Sequence, residues 1–314
     1  MSSTLAGSCG TSIVVVGEAM IELARLALGA AAKVAYGGDT INTAVYLART
    51  ARDGGLRVRY LTALGDDPLS DQMLLAWRQE GIETDLVRRI PGKLPGIYSI
   101  VTDSAGERRF LYWRDTSAAR EMLKNESAAS LTARLEGCGW LYFTGITLAI
   151  LALEARKKLV AAAAQLRSSG VSIAFDSNYR AALWPSAEAA RAAIGNAITV
   201  TDLALLSADD ERTLWDDASP RDTLRRTEEL GVREVVVRDG VRPCWIRHAG
   251  AVQALPAQSV EPVDTTAAGD AFNAAYLAAR IAKLAPPDAA RSGHELAARV
   301  IRHRGAIMPR DSLP

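Results

Sequence analysis

Residues 264–276 read DTTAAGDAFNAAY. An acid and two hydroxyls open the stretch. Three small residues follow, then a second acid, Asp270, then an apolar helical run. Asp264 ends a strand-like approach, SVEPVD, and Thr265 and Thr266 are candidate N-cap hydroxyls for the helix. Ala267, Ala268 and Gly269 are then expected to form its first turn. Small side chains there leave backbone N–H groups open to an anion, and the helix dipole favours negative charge. This predicts a phosphate seat. An acid beside it would repel a phosphate. Asp270 is therefore either a plain helix-capping carboxylate or a base that takes a proton from an attacking hydroxyl.

Outward from this stretch, strands and helices alternate. SIVVVGEAMIEL (12–23) begins as a buried strand ending at Gly17-Glu18. Further strands are expected at 58–65, 139–146, 171–178, 202–207 and 233–240, with a strand pair around Gly250 at 244–255. Helices are expected at 42–51, 68–82, 151–170, 186–198, 267–283 and 287–304. This rhythm predicts a doubly wound, mostly parallel sheet. GIYSIVTDSAGERRFLYWRD (96–115) has a different texture: two alternating runs flank a turn at 103–106, so a hairpin with one open face is expected, part of a small flap. No repeat, linker or low-complexity segment divides the 314 residues.

Ligands in such sheets sit beyond the carboxyl ends of the strands. YGGDTINTAVYLA (36–48) offers Gly37 and Gly38 for a tight turn, with Asp39 and Asn42 suited to sugar hydroxyls; a generic glycine turn is the alternative. In LYWRD (111–115), Tyr112 and Arg114 point the same way on a strand, and Tyr98 lies on the partner strand. Arg114 can hold a carboxylate with two N–H groups, or this face is solvated surface. In DSNYR (176–180), Asn178 and Arg180 suit nucleotide phosphates or a substrate anion. In SADDERTLW (207–215), Glu211 opens a helix, where it is structural or organises magnesium through water.

Several classes are excluded. A net charge of +1 without basic clusters gives no reason to expect nucleic acid or a membrane surface. No apolar run approaches the length of a membrane span. The first residues, MSSTLAGSCGTS, lack the basic and apolar regions of a leader and are read as a frayed terminus. Cys9, Cys138 and Cys244 form no disulfide or zinc pattern, as expected of thiols in a reducing cytoplasm. Neither GxxxxGK[ST] nor GxGxxG is present, and the three histidines have no ligand spacing.

Taken together, the 264–276 and 36–48 motifs resemble the two signatures of the ribokinase-like (PfkB) sugar kinases. The resemblance runs from about residue 13 to about 308. GEAMIEL, GGDT, YWR, SNYR, HRGAIMPRD and TTAAGD, where many relatives have TTGAGD, are similar to the 2-keto-3-deoxygluconate kinases of that family. Ala208 stands where relatives often have Asn, and DGVRP lacks the nucleotide loop's usual second glycine.

The resemblance implies one three-layer α/β/α domain over 1–314, with a β-sheet lid from roughly 20–36 and 94–116. It implies ATP and Mg2+, and phosphorylation of 2-keto-3-deoxygluconate to 2-keto-3-deoxy-6-phosphogluconate. The alternatives are a neutral-sugar or nucleoside kinase and a non-catalytic regulator. Asp270 would be the base, with Ala267, Ala268 and Gly269 as the anion hole. Gly37, Gly38, Asp39, Asn42, Tyr98, Tyr112 and Arg114 would hold the sugar acid, with Arg180 shared. Asn178, Arg180, Arg238, Gly240, Ala268 and Gly269 would face the nucleotide, and Glu211 would act on magnesium indirectly. Self-association through the lid is expected.

Overall fold

A computed structural model describes residues 12–24, 31–51, 54–102 and 108–312. The expected terminal fraying, Cys9 and the turn at 103–106 lie outside these residues. The first strands are β1 (Ser12–Val16), β2 (Met20–Ala24), β3 (Lys33–Gly37), β4 (Arg57–Leu64), β5 (Ile82–Glu83), β6 (Val87–Arg89), β7 (Gly96–Thr102) and β8 (Arg108–Trp113). The later ones are β9 (Trp140–Thr144), β10 (Ser172–Asp176), β11 (Leu203–Ser207), β12 (Glu234–Asp239), β13 (Arg242–His248) and β14 (Ala251–Leu255). The helices are α1 (Asp39–Thr50), α2 (Pro68–Gln79), α3 (Ala128–Arg134), α4 (Gly145–Ile150), α5 (Leu153–Ser168), α6 (Ala187–Thr199), α7 (Ala208–Trp215), α8 (Pro220–Glu229), α9 (Ala268–Ile281) and α10 (Pro286–Val300).

The main sheet runs β14-β13-β12-β11-β10-β9-β1-β4-β5, with β6 also paired to β4. It is parallel from β12 to β5, and antiparallel at β12–β13 and β13–β14. The central strands are buried on both faces, so successive side chains enter opposite cores. Val14, Val16, Phe143 and Phe175 pack with Leu131, Leu159 and Ile194 of α3, α5 and α6. Ile13, Val15, Tyr142 and Ala174 pack with Ile41 of α1, Phe272 of α9 and Leu296 of α10. The result is the expected three-layer α/β/α arrangement. A second, smaller sheet runs β3-β2-β7-β8, where the lid is expected.

Three local expectations are corrected. The strand expected over 139–146 ends at Thr144. Thr144 and Thr147 form a reciprocal capping box that turns the chain into α4. Gly145 permits this turn against the next strand end: a Cβ there would lie 1.9 Å from the Ser177 carbonyl oxygen. Secondly, Thr265 and Thr266 do not cap α9. The N-cap is Ala267, in the left-handed region (φ 63°), with no side-chain cap. Asp264 organises the approach instead. Its Oδ1 accepts the Thr266 N–H at 2.9 Å, and its Oδ2 accepts the Gly305 N–H at 2.9 Å. Ala267 therefore precedes the first helical turn. Thirdly, α3 and α8 were not expected. The start of α8 was readable: Ser219 precedes Pro220, and its hydroxyl accepts from the Asp222 N–H.

Replacing Gly145 by Ala is expected to destabilise the fold by about 1–3 kcal/mol or more, because the atom it meets is backbone. Urea unfolding of the variant checks this; an unchanged midpoint would contradict the close approach.

Candidate active site

The carboxyl ends of the strands, the start of α9 and the lid enclose a cleft of about 1040 Å³. Asp270 lies in the first turn of α9 and lines it. Its Oδ2 accepts a 2.8 Å hydrogen bond from Asn42 Nδ2 on α1. Burial pushes the Asp270 carboxyl up to about 8, and the Asp39 carboxylate adds to this. The Asn42 bond opposes the rise. A carboxyl so tuned can exchange a proton near neutral pH.

The other side of α9's first turn is backed by a cation. A Cβ on Gly269 would lie 2.3 Å from Arg238 Nη1, so only glycine lets this guanidinium cross the helix start. Arg238 Nη2 donates to Asp176 Oδ2 at 2.8 Å, and Arg238 Nε donates to the Leu206 carbonyl at 3.2 Å. Asn273 Nδ2, one turn beyond Asp270, also donates to Asp176 Oδ2, at 2.7 Å. The Ala268 N–H makes only a long 3.3 Å bond, to the Thr265 carbonyl. The α9 start thus combines exposed amide dipoles with a held positive charge, a setting for a phosphoryl group.

At the opposite end, Gly38 turns the chain from β3 into α1 with φ 145°. Any Cβ there would meet the Glu18 carbonyl oxygen at 2.5 Å. Asp39 Oδ2 accepts from Thr144 Oγ1 at 2.6 Å and from Asn178 Nδ2 at 3.1 Å. Tyr98 and Tyr112 stand opposite each other on β7 and β8, with ring centroids 6.2 Å apart. The Tyr98 hydroxyl donates to Glu22 of β2. Arg114, beyond the end of β8, donates to Glu18, and its guanidinium lies 5.8 Å from the Tyr112 ring centroid. Arg180 is half exposed at the rim and pairs with Asp210 at 3.0 Å. Gly240 follows β12 with φ 60° and also lines the cleft.

Two expected site residues lie elsewhere. Gly37 ends β3 against the Tyr98 hydroxyl, 2.4 Å from its would-be Cβ, and is not part of the cleft wall. Glu211 does not line the cleft either. Its carboxylate is fully buried and accepts from Arg226 Nη2 at 2.6 Å. Burial pushes that carboxyl up to about 7, with Arg226 opposing. Glu22 and Asn273 were not singled out by sequence reasoning, and Glu18 and Asp176 were noted only for their place at strand ends. A signal existed for two of them: Glu18 and Glu22 interrupt an apolar run that a buried strand would leave uncharged.

Fold and cleft together define a phosphotransferase of the sugar-kinase type. The pfkB family carbohydrate kinase pattern matches residues 10–313, and the chain belongs to that family. Among its relatives, the 2-dehydro-3-deoxygluconokinase of Escherichia coli K12 is 44% identical over 306 residues, covering 96% of this chain and 98% of its own. The 2-dehydro-3-deoxygluconokinase of Dickeya dadantii is 42% identical over 307 residues, with 96% and 98% covered. The solved 2-dehydro-3-deoxygluconokinase of Thermotoga maritima superposes with a TM-score of 0.83 at 22% identity, covering 95% of this chain and 94% of that one, a likeness of fold.

Asp39 and Arg238 act on Asp270 with opposite signs. Asp39→Asn is expected to lower the pH at which Asp270 titrates, and Arg238→Gln to raise it. Carbon-13 NMR titration of the Asp270 carboxyl measures both; shifts of the same sign would contradict the electrostatics.

Proposed function

We propose that this protein uses ATP to phosphorylate 2-keto-3-deoxygluconate (2-dehydro-3-deoxygluconate) on its terminal hydroxyl, giving 2-keto-3-deoxy-6-phosphogluconate. The observation that carries the reaction type is Asp270, tuned near neutrality, beside the open amide end of α9 and Arg238. The relatives named 2-dehydro-3-deoxygluconokinase support the substrate, as does Arg114 in the cleft wall.

In this reading the chain acts as one kinase domain under its lid. The sugar's terminal hydroxyl donates its proton to Asp270. The hydroxyl oxygen forms a bond to the γ-phosphorus while the bond to the departing ADP oxygen breaks. The amide end of α9 (Ala268, Gly269) and Arg238 stabilise the charge on the moving group, the principal task in phosphoryl transfer. Gly38, Asp39, Asn42, Tyr98 and Tyr112 orient the sugar, and Arg114 takes its carboxylate. Asn178, Arg180 and Gly240 face the nucleotide.

Magnesium would neutralise charge on the ATP phosphates. It takes oxygen ligands, keeps several waters and needs only one or two carboxylates. Asp210 and Asp239 line the cleft and could supply such carboxylates on release of their partners Arg180 and Arg242, whereas Asp176 is committed to Arg238 and Asn273. Among the described residues no three His, Cys, Asp or Glu side chains gather as a metal cage. The buried Glu211–Arg226 pair would act only from behind Ser177, through the position of the β10 end.

Self-association through the lid belongs to the same proposal. The outer strands of the lid are β3 and β8. Val34, Leu111 and Trp113 share a face by the strand pairing and are exposed. An unpaired edge beside exposed apolar side chains favours pairing with a second copy.

Asp270→Asn is expected to lower kcat by about 10²–10⁴-fold. In the unmodified enzyme kcat at saturating substrate should climb with pH through about 8, because the base must be ionised. Near-wild-type turnover of the variant would remove Asp270 as base. Arg114→Lys is expected to raise KM for the keto-deoxy acid by about 10–100-fold, the loss of a charge-assisted hydrogen bond. A coupled assay over sugar acids and neutral sugars measures this, and a clear preference for fructose or ribose would defeat the substrate assignment.

A further inference from the structure

Glu18 directly follows Gly17 at the end of β1 and is 1% exposed. Arg114 Nη2 donates to one of its carboxylate oxygens, and the Ser117 hydroxyl donates to the other. Arg114 is itself 7% exposed, and its Nε is buried without a partner. The lid arginine is therefore held at the cleft wall as half of a neutral pair, with its Nε donor still unmet. The remaining neighbours of Glu18 add no positive charge. Asp39 faces it from α1, the Tyr60 hydroxyl lies behind on β4, and Gly96 of β7 packs against its carboxylate.

A substrate carboxylate reaching Arg114 would bring a further negative charge to this wall. Two carboxylates on one buried guanidinium leave an uncompensated charge away from water, which is strongly unfavourable. A proton from solvent relieves it. Burial disfavours the charge of both Glu18 and Asp39, and both accept hydrogen bonds that oppose this. Glu18 is the acceptor in direct contact with the Arg114 guanidinium, and so the one that an incoming carboxylate on the same guanidinium displaces first.

We propose that Glu18 is the positioning residue of Arg114 and takes up a proton from solvent when a substrate carboxylate binds there. This rests on the sugar-acid reading above. It makes binding and chemistry respond to pH in opposite senses. Affinity for the acid weakens as pH rises, because Glu18 becomes harder to protonate. Turnover improves, because Asp270 must be ionised.

The test is calorimetric titration of the full-length enzyme with 2-keto-3-deoxygluconate near neutral pH, in buffers of different ionisation enthalpy. The unmodified enzyme is expected to take up a fraction of a proton, at most about one per site. Glu18→Gln, already neutral, should take up clearly less, and its KM for the acid should be nearly independent of pH and no higher than that of the unmodified enzyme at neutral pH. Equal proton uptake by the two proteins overturns the proposal while leaving the sugar-acid reading intact. Should Glu18→Gln fail to fold, infrared difference spectra of the unmodified enzyme decide: a new protonated-carboxyl stretch on adding the acid is expected, and its absence overturns the proposal. If the acid gives no binding at all, the sugar-acid reading fails and this proposal falls with it.

Discussion

One carboxylate holds the catalytic end of the molecule together. Asp176, at the end of β10, accepts from Arg238 of β12, from Asn273 of α9 and from the backbone N–H of Asn178. Three elements distant in sequence therefore meet at a single buried charge. Removing it would take the carboxylate from a buried cation and one of two acceptors from the Asn273 amide at the same time, a loss larger than any one bond. Its position also fixes what surrounds it. Arg238 is drawn across the start of α9, and α9 is turned so that Asp270 faces the cleft. The loop carrying Asn178 is drawn toward Asp39.

The lid is governed by the same principle from the other side. Its cleft-facing groups, Tyr98 and Arg114, each rest on a buried glutamate, Glu22 and Glu18, from the segment that leaves β1. A flexible side chain presented to a ligand loses rotamer freedom on binding. Here much of that freedom is already lost in the folded protein. The Tyr98 hydroxyl, with its proton given to Glu22, is left to accept hydrogen bonds rather than donate them. The lid thus presents a defined set of donors and acceptors rather than a generic polar surface.

Much of this architecture was legible in the chain. The buried strands announce themselves by β-branched runs such as SIVVV, and α9 and α1 by small residues ahead of an apolar period. What could not be read is non-local or conformational. Nothing local says that Arg114 meets Glu18, 96 positions away, or that Glu211 turns from the cleft toward Arg226. The Thr265-Thr266 pair has the right chemistry for a cap, yet Asp264 and the distant Gly305 set the approach, and Ala267 is carried into a left-handed conformation. That conformation costs an alanine about 1–2 kcal/mol, which local propensity would not predict. Gly37 and Gly38 look equivalent in sequence, but only Gly38 reaches the cleft.

Gly269 shows how little freedom remains at such a place. Its missing side chain is the space that Arg238 occupies. Every coding change away from glycine adds a Cβ at the place of Arg238 Nη1, so the end of the arginine must swing away from the helix start. No intermediate-sized residue offers a gradual route between glycine and anything else. A substitution at residue 269 is therefore felt first as a changed position of the Arg238 charge rather than as a change in the fold.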